Sequence, residues 1–261
     1  MKSLSKAIFE QKNIAIRGKP NAGVKYYPLL AMLYTTLLIL SVLLDYKFIK
    51  IDQMLASAAT FVISSTFFLN DIIAEIYGYQ RARYVIWSSL LCLMLFSIVG
   101  FILNNIKTPE EYLQYGKAYN TVLQLLFRAG LSNAIAIVLG SFINVYIVSK
   151  WKIILRGRYF WLRSLCASIV GEVIYTTFVV TLLNIGIVNF YQLMQILFVS
   201  LSFKLLFDVI AIVPANIFAN FLKRKEQIDI YDYGLSLNPF KFNINSELIS
   251  ENEFNNSRDM V

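Results

Sequence analysis

Two apolar segments of the chain are joined by the stretch Asn70-Asp71-Ile72-Ile73-Ala74-Glu75-Ile76-Tyr77-Gly78-Tyr79-Gln80-Arg81-Ala82-Arg83. Asp71 and Glu75 are four residues apart, so both carboxylates lie on one face if the stretch is helical. The sequence around Gly78 is expected to break that helix, and Arg81 and Arg83 open the next segment. Carboxylates at the end of an apolar helix are costly in a bilayer, which makes them candidate functional groups.

The composition is that of an integral membrane protein. Hydrophobic residues make up 57% of the 261 residues and charged residues 15%, with a mean hydropathy of +0.59. Soluble domains have about 45–50% apolar and about 25% charged residues. The chain has no histidine, and its two cysteines fall in apolar segments. We therefore expect no metal site, no cofactor and no histidine-based catalysis.

Hydropathy predicts an all-α, polytopic fold with six transmembrane helices, because each span needs about 20 apolar residues. The predicted spans cover residues 27–44, 54–75, 82–103, 122–148, 159–185 and 191–222. Residues 1–26 are predicted to form a basic cytosolic tail, without the apolar run of a signal peptide. Residues 223–261 are predicted to form a cytosolic C-terminal tail, with the last fifteen residues disordered.

The basic residues indicate the orientation. Of the 24 lysines and arginines, 18 fall in the two tails and in the loops on the same side, and 4 fall in the opposite loops. Cytoplasmic loops carry this excess, so both termini are predicted to be cytoplasmic. The same distribution accounts for the net charge of +8 and argues against a nucleic-acid partner.

The fifth predicted span carries a polar stripe at intervals of three and four residues, formed by Arg163, Ser164, Ser168, Gly171, Glu172, Tyr175 and Thr176. Glu172 is ionisable and near mid-span. It is either a functional group or part of a structural ion pair, or it is a protonated buried carboxyl. The small and hydroxylated residues fit helix packing as well as substrate contact.

The sixth predicted span places Lys204 and Asp208 four residues apart, which suits an internal salt bridge. Lys204 could instead pair with Glu172 or Glu75. Residues 72–77 also resemble residues 169–175, and this similarity suggests two inverted three-helix repeats with Glu75 and Glu172 in one cavity.

These motifs resemble those of the VUT family of integral membrane proteins, which are regarded as queuosine precursor transporters. The first family motif is matched by Asp71, Glu75, Tyr77, Gly78, Arg81, Ala82 and Arg83, with Ala74 in place of the usual threonine. The second is matched by Trp161, Arg163, Ser168, Gly171, Glu172 and Thr176, whereas Ala167 and Tyr175 replace the usual serine and aspartate. The resemblance spans about residues 26–240.

The resemblance implies a transporter, not an enzyme, in the bacterial inner membrane that imports queuine, preQ0 or preQ1 for tRNA modification. The substrate-binding residues are predicted to be Asn70, Asp71, Glu75, Arg163, Ser168, Glu172, Tyr175, Thr176 and Lys204. The expected partners are a 7-deazaguanine base and the lipid bilayer. The sequence leaves open whether the protein forms a homodimer.

The chemistry of a guanine-like base agrees with buried carboxylates. Its edge presents two adjacent N–H donors, which one carboxylate can accept together. Either Glu75 or Glu172 could do so, and substitution of either by glutamine is expected to abolish uptake. An alternative is a substrate-capture subunit of an ATP-driven importer for a nucleobase- or vitamin-like compound. A membrane-embedded enzyme is disfavoured, because the sequence lacks histidine and the usual nucleophile motifs.

Overall fold

A computed structural model of the protein describes residues 24–51, 54–233 and 249–252. Most of this part is helical, and its helices are α1 Tyr27–Leu44, α2 Ala59–Asn104, α3 Leu113–Ile154, α4 Phe160–Asn184 and α5 Phe190–Glu226. Two antiparallel hairpins accompany them, β1 Phe48–Ile51 with β2 Met54–Ser57 and β3 Ile230–Tyr233 with β4 Ile249–Asn252. Residues 1–23 of the predicted N-terminal tail lie outside the described part.

The bundle is apolar outside and polar inside. Five helices in the described part are long and apolar enough to cross a membrane. Their outer faces carry large apolar side chains such as Leu91 and Phe198, each 71% exposed, whereas Glu75 and Glu172 are fully buried. Soluble proteins show the opposite arrangement. The predicted helical membrane-protein class is therefore confirmed, while the count of six spans is not.

Helix α2 joins the second and third predicted spans through one non-helical residue, Gly78, with φ 85° and ψ 168°. Both sides of this bend contact α1. Asn70 donates a hydrogen bond to the Tyr34 hydroxyl at 3.4 Å, and the Thr35 and Ser89 hydroxyls are 2.6 Å apart. Along a straight helix, residues 70 and 89 would be about 28 Å apart. The chain therefore reverses direction at Gly78, and the two arms of α2 lie side by side.

The second arm of α2 runs antiparallel to α3. Tyr79 packs edge-on against Tyr146, with 6.5 Å between ring centroids, whereas Ser97 packs against Gly130. Residue numbers therefore increase along one helix and decrease along the other at successive contacts, as in an antiparallel pair. Helix α3 begins nine residues earlier than predicted, because its N-terminal turns extend past the apolar core of the segment.

Helices α3 and α4 approach closely at two glycines. A Cβ atom at Gly140 would lie 2.6 Å from the carbonyl oxygen of Gly171. A Cβ atom at Gly171 would lie 2.8 Å from the Cβ of Asn144. Neither position can carry a side chain unless the backbone moves, as is common where membrane helices pack tightly. This contact brings the polar side chains of α3 next to those of α4.

The prediction that the second span begins at residue 54 is wrong, because Met54–Ser57 forms β2 and α2 begins at Ala59. The β1–β2 hairpin is attached to the end of α1. The Ala58 N–H donates to the Lys47 carbonyl, and the Ser57 hydroxyl donates to the Asp45 carbonyl, both at 2.8 Å. Strand pairing satisfies backbone groups that would otherwise lack partners. The structure is therefore mostly helical, with a short hairpin after α1.

Helix α5 continues to Glu226, four residues beyond the predicted end of the sixth span. Strand β3 then folds back onto the bundle, where the Asp232 carboxylate accepts a hydrogen bond from the Tyr79 N–H at 2.5 Å. Residues 249–252 pair with β3 as β4. The other residues predicted to be disordered lie outside the described part.

Replacement of Gly78 by alanine tests the bend. Its backbone conformation is one that only glycine adopts readily, at a cost of about 1–3 kcal/mol for other residues. The new Cβ would also lie 2.5 Å from Oδ2 of Asp232. We expect Gly78→Ala to lower the apparent Tm of the detergent-solubilised protein clearly more than Gly186→Ala does. Gly186 is a matched control, because it has φ 78° but nothing within 4 Å of an added Cβ. Equal losses in Tm would contradict the role of the Asp232 contact.

Candidate functional site

Glu75 lies just before the bend, at the centre of a buried ion cluster. Arg163 of α4 donates two hydrogen bonds to it, from Nη1 to Oε2 at 2.8 Å and from Nη2 to Oε1 at 3.0 Å. Lys223 of α5 adds a third contact, at 2.6 Å from Oε1. Paired hydrogen bonds of this kind are strong and geometrically specific. Three helices are therefore joined at this carboxylate.

The cluster continues into the chain after α5. Asp229 accepts ion pairs from Lys152 at 2.5 Å and from Lys223 at 2.9 Å. Lys152 also donates to the carbonyl oxygens of Glu75 and Ile230. We call the five ionised side chains of Glu75, Arg163, Lys223, Lys152 and Asp229 the bend cluster. It contains three cations and two anions, and each anion is in contact with at least two of the cations.

The predicted shared cavity for Glu75 and Glu172 is wrong. Arg163 occupies both oxygens of Glu75. Glu172 lies nine residues beyond Arg163 on the same helix, which is about 13 Å of helix rise. The repeat that would have paired the two glutamates is likewise not confirmed. The observed partners of Glu75, Arg163 and Lys223, were not predicted, because they lie on distant segments of the chain.

Asp71 lies one turn before Glu75 and is only 1% exposed. Its Oδ1 accepts a hydrogen bond from Asn144 at 2.6 Å, and its Oδ2 accepts from Ser168 at 3.0 Å and from Ser164. Asp71 is therefore neither solvated nor paired with an arginine among the described residues. Its partners are neutral donors from α3 and α4, brought within reach by the glycine contact between those helices.

A small cavity of about 10 Å³ lies beside Asp71, between α2, α4 and α5. We call it the Asp71 cavity. Asp71, Ser164, Ser168 and Asp208 provide its polar lining. The Asp208 side chain is 8% exposed, and its Oδ2 atom has no hydrogen-bond partner in the described part of the chain.

Glu172 is fully buried, and neither of its carboxylate oxygens has a hydrogen-bond partner among the described residues. Ser64 and Lys204 lie near it, as do the carboxyl groups of Asp71 and Asp208. Ser168 and Thr176 lie one turn before and one turn after it on α4. Burying an unpartnered carboxylate costs several kcal/mol. Glu172 is therefore the least satisfied acidic group in the described interior.

A second cavity, of about 40 Å³, is lined on α4 by Tyr175 and Thr176, so that Glu172 lies along the chain between the α4 residues of the two cavities. We call it the Lys204 cavity. Lys204 donates to the Thr176 hydroxyl at 2.7 Å and lies 4.4 Å from the centroid of the Tyr175 ring. Tyr175 donates to the Asn133 carbonyl oxygen, and Asn133 donates to Asp45 at 2.5 Å. The cavity has space for a small number of water molecules.

The predicted salt bridge between Lys204 and Asp208 is absent. Within the described residues, no carboxylate oxygen lies within 4.0 Å of the Lys204 nitrogen, so the alternative pairs with Glu172 and Glu75 are absent as well. Lys204 instead points toward Thr176 of α4, and Asp208 lines the Asp71 cavity. Two side chains one helical turn apart thus line two different cavities.

Asn70, the remaining predicted site residue, is fully buried against α1, and its Oδ1 atom has no partner in the described structure. Asn144, Asn133 and Asp45 were not among the predicted site residues. Asn144 and Asn133 are polar residues within an apolar segment, and Asp45 directly follows one. Their positions in or next to apolar segments could have identified them as candidates, because burying a polar group in a membrane helix costs free energy.

Glu75→Gln tests the bend cluster. Removing one partner of a buried ion pair leaves unpaired charges and costs about 3–5 kcal/mol. We expect a drop of about 10 °C in the apparent Tm of the solubilised protein. Glu172→Gln is the matched control and should not lower Tm, because Glu172 has no hydrogen-bond partner to lose among the described residues and the substitution removes a costly buried charge. Similar Tm values for the two variants would contradict the structural role of Glu75.

The buried carboxyl group of Asp45 should make the stability of the protein depend on pH. Burial raises the pKa of Asp45 from 3.8 to about 7, and the Asn133 hydrogen bond and Lys204 charge oppose this only partly. The stabilisation from a raised pKa is complete below pH 3.8 and is lost as pH rises through about 7. The Tm of Asp45→Asn relative to wild type should therefore increase between about pH 5 and pH 8. Thermal unfolding at several pH values measures this, and a constant difference would contradict it.

Comparison with known proteins agrees with this structure. A family model described as "Putative vitamin uptake transporter" matches residues 57–219, more than half of the chain. The match includes α2, α3, α4 and most of α5, and with them the lining of the Asp71 cavity and most of the lining of the Lys204 cavity. No curated protein and no solved structure matches the chain. The protein is a multi-pass membrane protein, and, as its motifs predicted, it belongs to the family of vitamin uptake transporters.

Proposed function

We propose that the protein imports a queuosine precursor (queuine, preQ0 or preQ1) across the bacterial inner membrane for tRNA modification. The observation that carries this proposal is Glu172, a fully buried carboxylate whose two oxygens have no hydrogen-bond partner in the described residues. A guanine-like edge supplies two adjacent N–H donors that fit such a carboxylate. A base without those donors would leave it unpaired and would be rejected.

The other predicted acids are less suited to this role. Arg163 and Lys223 already occupy the Glu75 oxygens. Asp71 already accepts three hydrogen bonds from side chains of α3 and α4. We therefore assign Glu75 and Arg163 to holding the helices in place, and Glu172 to substrate contact.

Groups around Glu172 complement the rest of a 7-deazaguanine base. Lys204 and Thr176 both line the Lys204 cavity, and their ammonium and hydroxyl groups can donate hydrogen bonds to acceptors on the ring of the base. The Tyr175 ring, which lines the same cavity, offers an aromatic face or edge to a flat heterocycle. Ser168 contributes a hydroxyl group in the Asp71 cavity.

The two cavities, lined by α4 residues before and after Glu172, suggest a transport path. Ligand pockets commonly have volumes of about 300–1,000 Å³, far more than these cavities offer. The described conformation is thus closed around the proposed site. Helix α5 lines both cavities through Lys204 and Asp208. We infer that movement of α5 away from α4 opens one cavity or the other.

We also propose that the two arms of α2 each cross the membrane, which gives six crossings. Tyr27 packs on Tyr77 at one end of the bundle, with 5.3 Å between ring centroids, and Glu226 accepts a hydrogen bond from the Tyr26 N–H at 2.6 Å. The start of α1, the α2 bend and the end of α5 therefore lie together. The excess of basic residues supports a cytoplasmic location for this end. Homodimer formation stays a prediction.

Uptake into liposomes tests the function. We expect the purified wild-type protein to move a labelled precursor base into liposomes without any other subunit. Glu172→Gln should reduce the initial rate at least about 100-fold, because it loses the paired acceptor. Ser202→Ala is a control on α5, since its exposed hydroxyl bonds only to the Phe198 carbonyl of its own helix.

Two results would contradict the proposal. Binding of the base without uptake would indicate a substrate-capture subunit that needs an ATP-driven partner. Normal uptake by Glu172→Gln would show that Glu172 does not contact the substrate. The thermal stability of each variant, measured in parallel, separates loss of binding from loss of fold.

A further inference from the structure

Asp208 is an acidic group that the recognition of a guanine-like edge does not use. Its side chain is 8% exposed and lines the Asp71 cavity. Its Oδ2 atom has no hydrogen-bond partner, and no lysine or arginine of the described part lies within 4.0 Å of it. A carboxylate in this position is costly unless a cation or proton joins it.

The surroundings of Asp208 are acidic. Asp71, Glu172 and Lys204 interact with it electrostatically, so three carboxylates face one ammonium group. That ammonium is directed at Thr176 and the Tyr175 ring. The arginine and two lysines of the bend cluster are in contact with Glu75 and Asp229 instead. The described interior near the Asp71 cavity therefore has more acidic than basic side chains.

We propose that Asp208 binds a positively charged amino group on the substrate, in the Asp71 cavity. This assignment rests on the proposed function. Among the 7-deazaguanine bases, preQ1 carries an aminomethyl arm and preQ0 carries a neutral nitrile in its place. An alkylamine is protonated at neutral pH, as the lysine side chain is. The protein accordingly selects bases with an ammonium arm.

The lining of the cavity suits an ammonium group, which has three N–H donors and no acceptor. Asp208 Oδ2 is one free acceptor. Ser164 and Ser168 use their protons to bond Asp71, so the lone pairs of their hydroxyl oxygens remain available as further acceptors. Asp71 adds a nearby negative charge.

A compact metal ion fits this site less well than an organic cation. The described carboxylates do not form a group of three that could hold a metal ion. Glu172 and Asp208 lie on different helices, α4 and α5. Glu172 can accept hydrogen bonds from the base edge while Asp208 accepts them from the ammonium arm. A nitrile supplies neither charge nor donor and would leave Asp208 unpartnered.

Separate uptake measurements with two labelled bases test this assignment. Purified protein in liposomes is given preQ1 or preQ0 at equal concentration, and initial rates are compared. We expect wild type to carry preQ1 at least about tenfold faster than preQ0, because only preQ1 pairs with the buried carboxylate. Asp208→Asn should lose at least about tenfold of the preQ1 rate and keep the preQ0 rate within about twofold. Asp208→Glu, which keeps the charge, should retain the preference, and Ser202→Ala should behave as wild type.

The outcomes are distinguishable. Equal rates for the two bases in wild type, an unchanged preQ1 rate in Asp208→Asn, or equal loss of both rates in that variant would each overturn the assignment. Equal loss would indicate a general role such as proton carriage. Uptake of neither base by wild type would overturn the proposed function, and this assignment with it. Thermal stability of Asp208→Asn confirms that its fold is intact, and an unfolded variant leaves the wild-type ratio of the two bases as the deciding measurement.

Discussion

The buried ion pair between Glu75 and Arg163 is the contact on which the described architecture depends. Both side chains are essentially inaccessible to solvent, and two hydrogen bonds join them. Arg163 also donates to the carbonyls of Gly157 and Arg158 in the loop that precedes its helix. One side chain therefore fixes the α2 bend, the start of α4 and the loop from α3. Such a pair is tolerated in a dry interior because its donors and acceptors are nearly all used.

The bend cluster and the region around Glu172 differ in how well their charges are satisfied. In the bend cluster, Lys152 and Lys223 bring Asp229 and the chain after α5 into the same network. Around Glu172 and Asp208, carboxylate oxygens have no partner among the described residues. A satisfied network stabilises one arrangement of helices, whereas an unsatisfied one gains free energy when a ligand supplies the missing groups. This contrast separates the acids in the bend cluster from the acids that we propose to bind substrate more clearly than their burial does.

The glycine contact between α3 and α4 sets the position of the polar groups. It brings Asn144 against α4, where Asn144 and Ser168 share Asp71. Three helices thereby hold one carboxylate with neutral donors. Helix α5 packs on α4 and α2, and it adds two polar contacts, from Lys204 to Thr176 in the interior and from Lys223 to Glu75 at the bend.

Composition, hydropathy and a few local motifs determined much of this protein from the sequence. Apolar content and segment length indicated a helical membrane protein, the motif around Gly78 indicated a helix break, and spaced motifs indicated the family. These properties depend on residues close together in the chain. The β1–β2 hairpin was missed because a short apolar run fits a strand and a helix equally well.

Only the tertiary structure decided which acids are free. Glu75 and Arg163 are 88 residues apart in the chain, and no local pattern connects them. Lys204 and Asp208 have the spacing of a salt bridge, yet each side chain is directed at a different cavity. Helical spacing shows which side chains share a face but not which neighbouring helix they meet. The partners of a buried charge depend on how distant helices pack, and so the sequence identified the acidic residues while the fold assigned their roles.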